Sequence, residues 1–194
     1  IDKYFHYDFA VTNGSIPCKD DNNNTKDIYA SVTINPFKNF NVKATYNWGE
    51  YNPQALAGGT APGVGVSKYM PMNRFVVGAW YNDPNGLDLR AEYGFMKSDK
   101  GGDTYVDEQG AYVLAGYHAG KFLPIVRWDM YKDDVNKTSA GCNYNRILVG
   151  CTYQLFKNVK IQLNYGHFMY SDDVKNAGGL EKSEQVQLMG LFKF

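Results

Sequence analysis

Charged side chains occupy every second position in two stretches of the chain. The stretch "LDLRAEYGF" carries Asp88, Arg90 and Glu92, and "IVRWDMY" carries Arg127 and Asp129. In an extended strand alternate side chains project to the same side, so the charges of each stretch share one face. Opposite charges this close together either pair with one another as a plug, or line a water-filled passage and set its selectivity.

A histidine followed by two aspartates offers a different chemistry. The stretch "GHFMYSDD" places His167 ahead of Asp172 and Asp173, and a second acidic pair lies at Asp133 and Asp134. General-base hydrolysis needs a histidine within hydrogen-bond reach of a carboxylate and a water. Acidic pairs are common in solvated loops, however, and alternation places His167 on the apolar side of its strand. We therefore expect no enzyme and no catalytic residues, with hydrolysis kept as an alternative.

The composition excludes several classes of protein. Lys plus Arg number 20 and Asp plus Glu number 20, so the formal net charge is zero. Nucleic-acid-binding proteins need a basic footprint, so we expect no nucleic-acid partner. The three cysteines match no metal-ligand spacing, and no Gly-rich phosphate-binding motif or nucleophile elbow is present. We therefore expect no metal and no cofactor.

The length fits a single domain over residues 1–194. No apolar run reaches the roughly 18 residues that a transmembrane helix requires. The chain opens on Ile1 rather than Met, so we expect a mature, trimmed or fragmentary chain. A disulfide between Cys18 and Cys142, both in polar segments, is a hypothesis. Cys151 lies among apolar strand positions and is expected to be a small buried residue.

Alternation of period two recurs from end to end and predicts ten strands. The connections between them alternate between short turns and long polar loops, which is typical of an up-and-down barrel that crosses a membrane. The fourth and sixth strands are apolar on both sides, which leaves their register open. The predicted strands are "KYFHYDFAVT", "KDIYASVTIN", "FNVKATYNW", "RFVVGAWY", "LDLRAEYGF", "GAYVLAGYH", "IVRWDMY", "RILVGCTY", "VKIQLNYG" and "SEQVQLMGLFKF". The short turns are residues 36–39, 83–86, 119–122 and 155–158.

Two features predict lipid on the apolar side of these strands, and an energetic argument then fixes the orientation of the strands. Aromatic residues make up 15% of the chain and cluster near strand ends, where the two interfaces of a membrane select them. The predicted strands are about nine to eleven residues long, which suffices to cross a tilted bilayer. The opposite orientation would point Arg90 at lipid, at a cost of about 2–4 kcal/mol at mid-depth. The fold class expected is thus all-β, an antiparallel up-and-down transmembrane β-barrel with about ten strands in this chain.

We expect the charged residues of the other side to surround water. Their near balance of sign predicts a weakly selective passage for small hydrophilic solutes, with membrane lipid and lipopolysaccharide as the surroundings outside. The predicted pore-lining residues are Lys43, Arg90, Arg127, Arg146, Lys160, Asp8, Asp88, Glu92 and Asp129.

Three stretches resemble a known family. "FAVTNG" at 9–14, "PIVRWDMY" at 124–131 and "LFKNVKIQLNYG" at 155–166 are similar to the phosphate-selective porin O and P family, in particular its Bacteroidetes members. The resemblance covers most of the chain and corresponds to the carboxy-terminal half of a family member. It implies the outer membrane of a Gram-negative bacterium, a complete barrel of 16 to 18 strands, homotrimers, and passive diffusion of ions, including anions such as phosphate. No phosphate site is carried over to this chain.

Two alternatives remain open at this point. One is an outer-membrane surface protease that uses His167 and the acidic pairs. The other is a structural or adhesive surface barrel with no open pore, in which a long loop at 50–71 binds a partner. The glycines Gly78, Gly116 and Gly150 are interpreted as places of close packing against another subunit.

Overall fold

The computed structural model of the chain describes residues 3–12, 26–51, 70–99, 105–133, 135, 143–176 and 181–193. Ten strands lie side by side in one antiparallel sheet, each paired with its neighbours in chain order. A short helix, α1 (Asp172–Asn176), follows the ninth strand. The strands are β1 (Phe5–Thr12), β2 (Asp27–Phe37), β3 (Phe40–Tyr51), β4 (Met70–Asn82), β5 (Leu87–Asp99), β6 (Tyr105–Tyr117), β7 (Phe122–Lys132), β8 (Tyr144–Phe156), β9 (Val159–Tyr170) and β10 (Lys182–Phe192). The predicted all-β, up-and-down order of ten strands is confirmed.

The strands are longer than those of ordinary sheets. β4, β5, β6 and β8 have 13 residues each, and β3 and β9 have 12. At about 3.3 Å per residue, such a strand is about 40 Å long, and a tilt of about 45° leaves enough height for the hydrocarbon layer of a bilayer. No helix in the described ranges is long and apolar enough to cross a membrane.

The turns at one end of the sheet are tight, as their residue types predict. Asn39, between β2 and β3, has φ 67° and Gly120, between β6 and β7, has φ 63°. Asparagine and glycine are the residues that tolerate this left-handed conformation best. In the turn between β4 and β5, Asp83 accepts hydrogen bonds from the backbone N–H groups of Asn85 and Gly86, each at 3.1 Å.

One face of the sheet is apolar, and we call it the outer face. A row of directly opposed residues crosses it from β3 to β8: Val42, Ala79, Ala91, Val113, Trp128 and Ile147. The side chains on this face are exposed; Tyr7 is 68% exposed and Leu188 is 73% exposed. Aromatic pairs lie near the tight turns, with ring centroids 4.8 Å apart in both Phe37–Phe40 and Phe122–Tyr153.

The opposite face, which we call the polar face, buries its polar groups. As whole residues, Ser31, Asp88, Asp129 and Asn164 are between 2% and 6% exposed, whereas Leu148 is the one buried hydrophobic residue of the described chain. Thirty-one large hydrophobic side chains of that part are exposed. Each gains about 1.5–3 kcal/mol on transfer from water to an apolar medium, so this pattern is inverted relative to a soluble domain.

The sheet has two edge strands, β1 and β10. Within the described residues, β1 pairs with β2 alone and β10 pairs with β9 alone. The ten strands therefore form an open sheet with a free edge at each end of the strand order.

Glycines on the polar face make room for the sheet's own side chains. A Cβ on Gly150 would overlap the buried amide of Asn164, and one on Gly78 would lie 3.3 Å from the backbone oxygen of Ala91. A Cβ on Gly116 would lie 3.0 Å from Ile125. The interpretation of these glycines as contact points for another subunit is therefore wrong: the neighbours they accommodate belong to this chain.

Candidate functional site

All nine residues predicted to line a passage lie on the polar face. Directly opposed residues of neighbouring strands share a face. One row runs from Lys43 through Gly78, Glu92, Tyr112 and Asp129 to Arg146. The next row towards the tight turns holds Trp80, Arg90, Leu114, Arg127 and Leu148. Asp8 lies opposite Ser31, Asp88 opposite Asn82, and Lys160 opposite Gln154.

Asp129 is the centre of the most tightly bonded group, and both of its oxygens are held by arginines. The Nε of Arg127 donates to Oδ1 at 2.7 Å, and the Nε of Arg146 donates to Oδ2 at 3.0 Å. The Asp129 side chain is 9% exposed. The Arg127 guanidinium lies 4.1 Å from the centroid of the Tyr112 ring, and Arg146 lies 5.2 Å from that of Phe168. These contacts fix both guanidinium planes, and the group carries one net positive charge.

A second group joins Asp88 and Arg90. The Arg90 Nε and Nη2 atoms donate to the two carboxylate oxygens of Asp88 at 2.8 Å each, a bidentate pair. The Asp88 side chain is 2% exposed, whereas the Arg90 side chain is 47% exposed. His118 Nε2 lies 4.0 Å from the second Asp88 oxygen. Asp88 therefore anchors Arg90 to the sheet and leaves part of its guanidinium open to solvent.

Asp8 is held by hydroxyl and imidazole groups near the free edge of β1. Ser31 Oγ donates to Asp8 Oδ2 at 2.9 Å, and His6 Nε2 lies 3.0 Å from Oδ1. Ser31 is buried and comes from the neighbouring strand β2. This carboxylate is thus oriented by partners on two strands.

The remaining predicted residues are not neutralised by ion pairs. Within the described ranges Lys43, Glu92 and Lys160 have no ion-pair partner, and Glu92 and Lys160 are exposed. The polar face therefore combines two tightly paired groups with separate solvated charges. A plug built from complete charge pairing would not leave Glu92 and Lys160 exposed and without an ion pair among the described residues.

Sequence reasoning missed several residues of this face. Arg74, Trp80 and Tyr112 lie on the two strands whose apolar pattern left the register open, and the pairing places all three on the polar face. Asn39 and Asn82 have the residue type of turn formers. Together with Asn41 and Arg90 they surround an open recess of about 610 Å³, which we call the asparagine recess. Its lining residues are Asn39, Asn41, Trp80, Asn82, Arg90, Glu92 and Tyr112.

Two of the residues considered for hydrolysis, His167 and Asp172, have other partners among the described residues. His167 lies on the outer face, as the alternation predicted, with Nδ1 3.8 Å from Glu184 Oε1. Asp172 instead binds Lys175 Nζ at 3.1 Å, and this hydrogen bond raises the pKa of the Lys175 ammonium. Asp134 and the Asp173 side chain lie outside the described residues.

The cysteine and metal predictions are tested only in part. Cys151 has a free thiol and is half-buried. Cys18 and Cys142 lie outside the described residues, so their disulfide stays a hypothesis. Among the described residues, no group of three His, Cys, Asp or Glu side chains is placed to hold a metal ion.

Comparison with solved structures finds outer-membrane proteins. A porin whose structure was refined at 1.8 Å matches with a TM-score of 0.63 and 11% identity, over 97% of this chain and 57% of the porin. OmpT of Vibrio cholerae, folded in vitro, matches with a TM-score of 0.59 and 15% identity, over 97% and 59% of the two chains. The same protein expressed in the outer membrane matches with a TM-score of 0.53 and 16% identity, over 86% and 54%.

These similarities establish the fold, which is that of outer-membrane β-barrels. The chain spans a little more than half the length of the matched proteins. No protein-family model and no curated protein matches the sequence. The resemblance to the phosphate-selective porin O and P family thus agrees with the porin-like fold, and the family itself stays a prediction.

Proposed function

We propose that the chain is part of a porin in the outer membrane of a Gram-negative bacterium, where it passes small hydrophilic solutes and ions by passive diffusion. The observation that carries this proposal is the inversion of the sheet. Apolar side chains are exposed on the outer face, while Asp88, Asp129 and Asn164 are buried on the polar face. Lipid on one side and water on the other satisfy both faces.

The free edges of the sheet support a larger ring. In a bilayer every backbone group needs a partner, and an open edge would leave a row of N–H and C=O groups without one. Ten strands that match 57% of a porin chain scale to about 16 to 18 strands over its full length. Barrels of that size leave an aqueous channel, whereas eight strands leave an interior that side chains fill.

The charges of the polar face support weak ion selectivity. Five of the nine predicted residues are cationic and four are anionic, and rings of charge set the selectivity of a wide pore. This near balance supports a weakly selective passage, and phosphate is among the anions that such a passage admits. Outside the ring, the partners are membrane lipid and lipopolysaccharide.

A trimer is the oligomer that we propose, on the basis of the outer face. Small side chains cover this face from β3 to β6, at Ala44, Ala79, Ala91, Ala111 and Ala115. Small residues let two apolar surfaces approach closely within lipid. The mass of the protein in mild detergent tests this point: a trimer supports it, and a monodisperse monomer contradicts it.

An enzymatic role has less support. The one histidine–carboxylate contact near the long loops among the described residues, between His167 and Glu184, lies on the outer face and is 3.8 Å long. General-base catalysis needs a shorter contact that also reaches water. The protein is therefore proposed to be a channel rather than a surface protease.

Single-channel conductance of the full-length protein in a planar bilayer tests the proposal. A large, ohmic current that scales with salt concentration supports a water-filled pore. Correct insertion without current would contradict the pore and favour a closed, structural or adhesive barrel.

A further inference from the structure

The asparagine recess contains several side-chain amides that passive diffusion does not require. Three asparagine side chains, Asn39, Asn41 and Asn82, line it near the tight-turn end of β3 and β4. Within the described residues none of the three amides makes a side-chain hydrogen bond. Each amide offers two donors and one acceptor oxygen, so the recess presents an array of unused hydrogen-bonding groups.

An aromatic surface lies beside these amides. Trp80 is directly opposite Asn41 on one side and Arg90 on the other. Its indole lines the recess, is half-buried, and makes no aromatic or cation contact with any described residue. Tyr112 also borders the recess, with one face of its ring occupied by Arg127. The recess therefore joins an aromatic side chain to polar groups at its rim.

The charge of the recess is balanced. The Arg90 guanidinium is held by both oxygens of Asp88, and Glu92 beside it has no ion-pair partner among the described residues. Arg90 and Glu92 are the two charged residues that line the recess, and their charges cancel. A site without net charge suits a neutral solute that can both donate and accept hydrogen bonds.

We propose that the asparagine recess is a binding subsite for a neutral saccharide, on the wall of the passage. A pyranose ring has an apolar C–H face that stacks on an indole, and vicinal hydroxyls that bond to amide and carboxylate groups. A volume of about 610 Å³ accommodates one or two sugar rings. The subsite deepens the proposed porin function and rests on it, because a solute reaches the recess only through a water-filled lumen.

Blockage of ion current by sugars tests the subsite in the full-length protein. A neutral disaccharide is added to a planar bilayer that already conducts, and the current is recorded against sugar concentration. We expect saturable blockage. Trp80→Ala should weaken the apparent affinity about tenfold, the size of a lost aromatic stacking contact. Asn41→Ala should weaken it about threefold, the size of one lost hydrogen bond.

Trp128→Ala is the matched control, since Trp128 is on the outer face and 40% exposed. This variant should keep the wild-type affinity for the sugar. In the detergent-folded variant Trp48→Phe, Trp128→Phe, the remaining Trp80 emission provides a second measurement that needs no current, and it should change saturably with the sugar.

The outcomes separate the subsite from the pore. An ohmic current with no saturable sugar response in either measurement would overturn the subsite and leave the porin function standing. The subsite would also be overturned if inorganic phosphate competes at the recess as strongly as the sugar binds. Saturable binding without any current would refute the pore, and with it the claim that the recess serves transport.

Discussion

Replacing Asp129 by asparagine removes the charge on which two arginines depend. The side chains of Arg127 and Arg146 are 31% and 19% exposed, and that of Asp129 is 9% exposed, so water screens the group only in part. The substituted amide would retain one oxygen as a neutral acceptor, and the two guanidinium groups would repel each other across it. Each of the two charge-assisted hydrogen bonds is weakened by about 1 kcal/mol, and the repulsion adds to this loss. We therefore expect the free energy of unfolding to fall by about 2–3 kcal/mol.

Urea unfolding of the protein in lipid vesicles measures this loss. Glu184→Gln is the control, because it makes the same carboxylate-to-amide change at a 63% exposed side chain, whose contacts with His167 at 3.8 Å and with the Tyr165 hydroxyl remain open to an amide oxygen. This control should lose no stability. The Asp129→Asn channel should also become more selective for anions, which the reversal potential in a salt gradient reports. Unfolding of Asp129→Asn within about 0.5 kcal/mol of wild type would refute the assignment of Asp129 as the anchor of both arginines.

Two further substitutions test the packing and orientation of the sheet. Gly150→Ala should destabilise the protein by about 1–3 kcal/mol, because the new Cβ overlaps the buried Asn164 amide. Gly94→Ala is the control and should be tolerated, since the nearest contact of its new Cβ is at 3.6 Å. Equal melting temperatures of the two variants would contradict this packing. Leu163→Arg on the outer face should lower the free energy of unfolding in vesicles by about 2–4 kcal/mol, whereas Thr152→Arg on the polar face should lower it by less than about 1 kcal/mol. If Thr152→Arg unfolds at the lower urea concentration, lipid would cover the polar face and the account would be wrong.

Strand number and orientation were predictable where alternation was clear. β3 and β5 separate apolar from polar positions without exception in their central parts, so Val42, Lys43, Leu89 and Arg90 were assigned to the correct faces. The position of His167 on the apolar side was likewise correct. Alternation works here because the two faces meet media of opposite polarity over the whole strand.

The register between strands was not predictable from local pattern. The Arg127–Asp129 pair is visible in one strand, but Arg146 joins it only because β8 pairs with β7 in one particular register. β4 concealed Trp80 for a different reason: its polar side also carries the apolar residue Val76, so alternation does not distinguish the two sides of this strand. The role of Gly150 depends on Asn164 of the neighbouring strand, a relation that no single strand contains.

The central claim is that lipid covers the outer face and water covers the polar face. Ala44 and Thr45 are adjacent in β3 and point to opposite faces. In a background of Cys18→Ser, Cys142→Ser and Cys151→Ala, a spin label is attached to Ala44→Cys or Thr45→Cys in vesicles. Its accessibility to oxygen and to a water-soluble nickel complex is then measured. We predict that the label on Ala44→Cys is more accessible to oxygen and that the label on Thr45→Cys is more accessible to the nickel complex. The opposite result, or nickel access at both positions, would contradict the account.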